Sequence, residues 1–230
     1  LQDFGVEPMQ GWGMTEALSS TKFSPLGGST EPDDAAKLDA YQYGGRQAFG
    51  SKFRIIDDDG NELPKDGVAQ GHLLVRGPTV ASGYMKQDGL TGATGVVGGW
   101  LHTGDVALLH ANGYVELADR SKDVIKSGGE WISSVELENA AMGHPEIAEA
   151  AVIAVEHPKW QERPLLIAVR MPDSQITDQQ ILDYLREKVA SWWLPDAVEF
   201  LDELPHTGTG KIYKLKLREA FADYKLTGDG

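Results

Sequence analysis

The sequence predicts a β-rich first half followed by a small α+β domain, with a short charged bridge between them. Three observations predict it: Gly-punctuated runs of strand character up to about residue 118, the stretch Asp119-Arg120-Ser121-Lys122-Asp123, and helices alternating with strands beyond it. At 230 residues the chain also exceeds the usual size of one domain, which favours two.

In the first half, Phe53–Asp57 alternates ahead of the turn Asp58-Asp59-Gly60-Asn61, and Leu73–Arg76 follows. Val106–His110 is expected to pair with Tyr114–Ala118 across Asn112-Gly113, a dipeptide that favours hairpin turns. No period runs through Ser29–Gly50, which reads as an exposed loop. Few side chains of the bridge could link two cores, so the boundary is placed there, with 1–118 before it, 119–123 as the bridge and 124–230 after it.

Beyond the bridge, Ser133 and Glu136 have capping-box spacing, which predicts a short helix ending at Gly143. Ala150–Val155 and Leu165–Met171 read as strands. Thr177 and Gln180 open a second helix whose Ile181, Leu185, Val189 and Trp192 or Trp193 share one face, and Pro195 is expected to stop it. Val198–Leu201 is a third strand and Tyr213–Tyr224 a terminal amphipathic helix. Together these make an α+β domain of roughly 110 residues.

A net charge of −14 disfavours nucleic acid and anionic membrane as partners, because both would repel the chain. The absence of Cys removes disulfide and thiolate chemistry and fits a cytoplasmic enzyme. The longest apolar runs fall far short of the roughly 20 residues a transmembrane helix needs. The chain starts at Leu1, without an initiator Met or a signal peptide and within motif-bearing text, and is read as a piece of a longer protein.

Four segments could carry chemistry. Gly11-Trp12-Gly13-Met14-Thr15-Glu16 offers an aromatic face, a hydroxyl and a carboxylate, the groups that adenine stacking, phosphate contact and Mg²⁺ ligation require; a core Trp beside a helix cap explains it equally. Asp105, at the end of Trp100-Leu101-His102-Thr103-Gly104-Asp105, could accept two hydrogen bonds from a vicinal diol, although taken singly an Asx turn is the simpler reading. Thr207-Gly208-Thr209-Gly210-Lys211 invites a phosphate-loop reading but lacks the full pattern: Pro205 stands where the first Gly belongs and Ile212 where Ser or Thr should follow the Lys. Taken alone it reads as a surface turn. The His residues show no zinc-ligand spacing, and Trp192-Trp193 reads as packing of its helix.

The order and spacing of Trp12–Glu16, Trp100–Asp105, Asp119–Glu138 and Pro205–Lys211 resemble four successive signatures of the adenylate-forming superfamily, which includes acyl-CoA synthetases, firefly luciferases and peptide-synthetase adenylation domains. The stretch from Asp119 to Ser133 is most similar to the fatty-acyl-CoA branch, and Met142–Pro164 resembles its medium-chain ligases. The resemblance implies α/β and α+β architecture: residues 1–118 as the C-terminal part of the large adenylation domain and 124–230 as the small mobile domain. It implies an AMP-forming ligase that makes an acyl-adenylate from a fatty acid and ATP and passes the acyl group to CoA, with Mg²⁺. In that scheme Trp12 stacks on adenine, where the family usually has Tyr, Thr15 contacts the α-phosphate and Glu16 holds Mg²⁺. Asp105 clasps the ribose with Arg120 nearby, and Lys211 bridges the substrate carboxylate and the α-phosphate. Lys122 is the hinge, Gly129 lets the pantetheine arm pass and Trp131 lines its channel. Two departures, His72 in place of the usual Glu of Gly-Glu-Leu and Gln47 in place of the Pro of Gly-Arg-Pro, are expected to affect only local packing. The family's phosphate-gripping loop and most of its acyl tunnel have no counterpart in this sequence, so the chain is not expected to turn over alone. An adenylation domain that loads a carrier protein, a luciferase-type oxygenase and a noncatalytic nucleotide-binding module are the alternatives; Trp131 and Gly128-Gly129 favour the fatty-acyl ligases, and the Lys211 segment speaks against the noncatalytic module.

Overall fold

Residues 11–22, 43–82 and 95–226 are described by the computed structural model. The chain falls into two units that divide between Ser121 and Lys122.

In the first unit, β1 (Gly13–Met14) pairs with β2 (Leu18–Ser19), and β3 (Thr21–Lys22) with β4 (Arg46–Gln47), as short antiparallel ribbons. The main sheet contains β5 (Lys52–Ile56), β6 (Gln70–Arg76), β7 (Val96–Val97), β8 (Trp100–Leu109) and β9 (Val115–Arg120). β5 lies on β6, β6 on β8, and both β7 and β9 on β8, every pair antiparallel. Alternation places Phe53 and Ile55 of β5 and Leu73 and Val75 of β6 in one core with Leu101 and Trp12. Each such side chain contributes about 1.5–3 kcal/mol by leaving water. The β8–β9 hairpin forms as expected: Gly113 takes φ 88°, and Asn112 Oδ1 accepts the Tyr114 N–H at 3.2 Å. Asp57 Oδ1 likewise closes the preceding turn by accepting the N–H groups of Asp59 and Asn61 at 3.0 and 2.8 Å.

Most of the Ser29–Gly50 stretch lies outside the described residues, but its end does not. The Gln47 N–H donates to the Gly113 carbonyl at 3.2 Å, a bond that proline could not make, which gives the departure at that position a physical reason. Asp119 and Arg120, read as the start of the bridge, are the last two residues of β9, with Arg120 paired opposite Asp105.

The second unit is built on β10 (Ile125–Ser127), β11 (Glu130–Ile132), β12 (Ile147–His157), β13 (Gln161–Arg170) and β14 (Ala197–Leu201), in the order β11-β10-β13-β12 with β14 parallel to β13. Three helices cover it: α1 (Ser134–Met142), α2 (Asp178–Arg186) and α3 (Lys214–Ala220). Ala150, Val152 and Leu166 pack toward Leu137 of α1 and Ile181 of α2, whereas Ala151, Ile153 and Leu165 pack toward Leu217 of α3. The Ala150–Val155 run is apolar without alternation because this sheet is covered on both faces. β12 is an edge strand. Its Val152 N–H is taken by Glu138 Oε1 at 2.8 Å, and the Lys214 ammonium, 2.6 Å from the same oxygen, neutralises that carboxylate.

Ser133 caps α1 by accepting the Glu136 N–H at 3.2 Å, and Thr177 with Gln180 forms a complete capping box on α2. The second helix is shorter than its apolar face suggests. It ends at Arg186, the N–H groups of Lys188 and Val189 both turn in to the Leu185 carbonyl, and Ala190 is extended at φ −59°, ψ 142°. Ser191–Trp193 then forms a separate 3₁₀ turn, with Leu194 extended ahead of Pro195 as a residue before proline must be. The terminal helix is likewise Lys214–Ala220 rather than Tyr213–Tyr224. Among the described residues no helix is long and apolar enough to cross a membrane.

Candidate functional site

The candidate nucleotide site of the first unit begins at the turn between β1 and β2. The Ala17 N–H donates to the Met14 carbonyl at 3.0 Å, and the Ala81 N–H donates to the Glu16 carbonyl at 2.7 Å. This closed turn exposes Thr15 and leaves Glu16 half-buried. Gly11, Trp12, Gly13, Met14, Thr15 and Leu18 line an open recess of about 550 Å³.

Trp12 is only 6 % exposed and meets Phe53 edge-on at 5.7 Å between ring centroids. The indole is therefore a core side chain that also contributes to the wall of the recess. Its Nε1–H donates to Asp105 Oδ2 at 2.8 Å, while Arg120 Nε lies 2.9 Å from Asp105 Oδ1. Thr103 Oγ1 accepts the Asp105 N–H at 3.1 Å, so the carboxylate is held at its backbone and at both oxygens. Burial pushes the Asp105 carboxyl above the usual carboxylate range, against the opposing pull of the Trp12 hydrogen bond and the Arg120 charge. Because the folded group binds its proton more readily than the unfolded chain does, ionised Asp105 lowers stability as pH rises from the ordinary Asp range through the folded value. By the same shift the carboxylate loses its charge on acidification earlier than an exposed Asp would.

A buried, fixed carboxylate suits a vicinal diol, since each oxygen keeps acceptor capacity for a charge-assisted bond. Arg120, with its side chain 63 % exposed, remains accessible to a ligand. On the expectation that the diol is the ribose of ATP, Asp105→Ala in the full-length protein is expected to raise the KM for ATP at least tenfold, and the wild-type KM should begin to rise on acidification above the pH at which exposed carboxylates titrate. A steady-state ATP titration across pH checks both. An unchanged KM in the variant would return Asp105 to a structural role.

No group of three or more His, Cys, Asp or Glu is placed to hold a metal ion among the described residues.

In the second unit, Gly128 and Gly129 make the two-residue turn between β10 and β11 at φ +60° and +90°. A Cβ on Gly128 would lie 2.7 Å from Trp160 Cε3, whereas one on Gly129 would meet nothing within 4 Å. Gly128 is thus required for packing as well as conformation, and Gly129 for conformation and an open approach. Gly129→Ala should cost about 1–3 kcal/mol of strain, and Gly128→Ala clearly more because Trp160 must also move. Thermal unfolding of the two variants tests this ranking. Arg163, which the sequence reading did not single out, braces the turn from below: it donates to Ser127 Oγ at 3.2 Å, to the Trp192 and Leu194 carbonyls at 2.8 Å each, and pairs with Asp196. Trp131 is half-buried, with Lys126 Nζ 5.1 Å from its ring centroid.

Lys211 lies exposed at the end of a small closed loop, next to the bridge between His206 and Ile212. The Thr207 N–H donates to the Lys211 carbonyl at 2.7 Å, the Gly210 N–H to the Thr207 carbonyl at 2.9 Å and the Lys211 N–H to Thr207 Oγ1 at 3.2 Å. These three amides are spent within the loop. The loop instead presents one ammonium on a fixed base. Lys122 is exposed at the start of the second unit.

Residues 1–85 match the family model of the AMP-binding enzymes, and residues 136–211 match that of the AMP-binding enzyme C-terminal domain. The chain is 46 % identical to the medium-chain fatty-acid–CoA ligase of Ectopseudomonas oleovorans, over 97 % of this chain and 40 % of that protein. It is 47 % identical to the 3-methylmercaptopropionyl-CoA ligase of Ruegeria lacuscaerulensis, over 99 % of this chain and 42 % of that one. Among solved structures, ATP-bound MatB from Rhodopseudomonas palustris gives a TM-score of 0.75 at 31 % identity, over 93 % of this chain and 40 % of that one. The chain spans about 40 % of the length of the curated relatives it matches. With both family models in chain order and the fold matched alongside them, the chain belongs to the AMP-binding enzymes of the adenylate-forming superfamily, as a match to their C-terminal portion.

Proposed function

We propose that this chain is the C-terminal portion of a cytoplasmic, ATP-dependent fatty-acid:CoA ligase, and that its two units supply the nucleotide clasp and the reacting cation. In this reading a carboxylate oxygen of the acid attacks the α-phosphorus of ATP and pyrophosphate leaves. The CoA thiolate then attacks the acyl carbon, and AMP departs with the transferred oxygen. Asp105 accepts the ribose hydroxyls, Arg120 stands beside it, Trp12 borders the base and Thr15 meets the α-phosphate. Glu16 would hold Mg²⁺, which when bound offsets phosphate charge. Lys211 neutralises charge developing between the carboxylate and the α-phosphate. Gly129 and Trp131 border the pantetheine path, and the backbone at Lys122 turns between the two half-reactions. The observation that carries the reading is the fixing of Asp105 by Trp12 and Arg120 beside the recess formed by Trp12 and Thr15. Fatty acid is favoured as the acid by the likeness of residues 119–133 to fatty-acyl ligases, and the cytoplasm by the Cys-free composition.

The test is product analysis with the complete enzyme, ATP, Mg²⁺, CoA and a series of straight-chain and methylthio acids. Equimolar AMP, pyrophosphate and acyl-CoA, with preference for straight chains, is the expected result. Turnover only with a pantetheinylated carrier protein, or none with any acid, would refute it.

A further inference from the structure

The His72 ring joins two elements far apart in sequence. Nδ1 lies 3.0 Å from Ser121 Oγ and Nε2 lies 2.9 Å from Asp58 Oδ1. The Asp58 carboxylate can only accept, so in the neutral ring Nε2 carries the proton and Nδ1 accepts from the Ser121 hydroxyl. Ser121 is the last residue of the first unit, immediately before Lys122. Its backbone N–H donates to the Gly104 carbonyl at 2.8 Å, which extends the β8–β9 pairing one residue past Asp105 and Arg120. The neighbouring glycine is also fixed: a Cβ on Gly71 would lie 2.7 Å from the Ile56 carbonyl oxygen, so the backbone carrying His72 sits tight against β5.

We propose that His72 is a positioning residue for the pivot: by holding the Ser121 side chain while Gly104 holds its backbone, it fixes the chain up to Ser121 and confines the turning motion to Lys122. The proposal rests on the reading of Lys122 as the hinge. Asp58, His72 and Ser121 also have the composition of a nucleophilic relay, but the Ser121 N–H is already given to the Gly104 carbonyl and cannot serve an oxyanion, so the arrangement suits anchoring rather than acyl transfer. Gly104, which holds the Ser121 backbone, lies on β8 next to Asp105, and His72 lies on β6, which pairs with β8, so both holds on Ser121 come from the sheet that carries Asp105.

The experiment uses the complete enzyme with His72→Ala, Ser121→Ala, the double variant and His72→Gln, whose amide keeps a donor and an acceptor. Two quantities are read: amide hydrogen exchange in a peptide covering residues 119–123, and the ratio of the adenylation rate to the rate of thioester formation from preformed acyl-adenylate. Loss of the ring contact should speed exchange about tenfold, as the loss of one net hydrogen bond implies. It should also move the ratio severalfold, with the double variant no worse than either single one and His72→Gln partly restored. Unchanged exchange would overturn the anchor. Faster exchange with an unmoved ratio, while Lys122→Pro does move it, would overturn the positioning role and leave the hinge standing. If Lys122→Pro also leaves the ratio unmoved, hinge and anchor fall together. Labelling of Ser121 by a fluorophosphonate would show a nucleophile instead and overturn the proposal.

Discussion

In the complete enzyme, Lys211→Ala is expected to slow acyl-adenylate formation about 10²–10³-fold, the usual loss when one preorganised electrostatic stabiliser is removed. Thioester formation from preformed acyl-adenylate should change by no more than a few-fold. The asymmetry follows from where charge develops: during adenylation the α-phosphorus is attacked by an anion and releases an anion, whereas the second step leaves that phosphorus intact. The substitution is clean because the hydrogen bonds closing the loop involve Thr207, Gly210 and the Lys211 backbone, none of which needs the ammonium. The protein should therefore stay folded with its loop in place, and Lys211→Arg should rescue poorly, since a planar guanidinium replaces a compact ammonium. Equal slowing of both half-reactions would remove Lys211 from the reacting centre.

The second large effect is expected from Lys122→Pro. The chain divides between Ser121 and Lys122, and the ladder of the first unit runs to the Ser121–Gly104 hydrogen bond. Lys122 is exposed, so losing its side chain leaves both cores untouched. Proline fixes φ near −65° and drives Ser121 toward extended geometry, which should trap one orientation. One half-reaction should then proceed near the wild-type rate while the other is greatly slowed. If pyrophosphate exchange and acyl transfer both run at wild-type rates, the bridge is an ordinary linker.

Much of this was legible in the sequence because local chemistry decides it. Asn112-Gly113 sets a hairpin, Thr177 and Gln180 set a helix start, and the apolar run Ala150–Val155 reads as a strand, which the structure covers on both faces. What escaped depends on contacts distant along the chain. Trp12 and Asp105 are 93 residues apart, and nothing in either segment says that the indole would hold the carboxylate. Each segment by itself is equally a core Trp or an Asx turn, and only their contact joins them. Apolar residues continue on the same face of α2 past Arg186 and suggest a longer helix, but backbone turning at Leu185 and Ala190 ends it there. His72 carries no motif that links it to Ser121, 49 residues away, so its contact is invisible in the sequence.

Activation of the acid as an acyl-adenylate is tested most directly by an isotope label. A fatty acid carrying ¹⁸O in both carboxylate oxygens is turned over by the complete enzyme with ATP and CoA, and the products are weighed by mass spectrometry. Attack of the carboxylate on the α-phosphorus and later departure of AMP must leave one ¹⁸O in the AMP phosphate and one in the thioester carbonyl. Label in inorganic phosphate, with ADP in place of AMP, would mean activation at the terminal phosphate and would contradict the account.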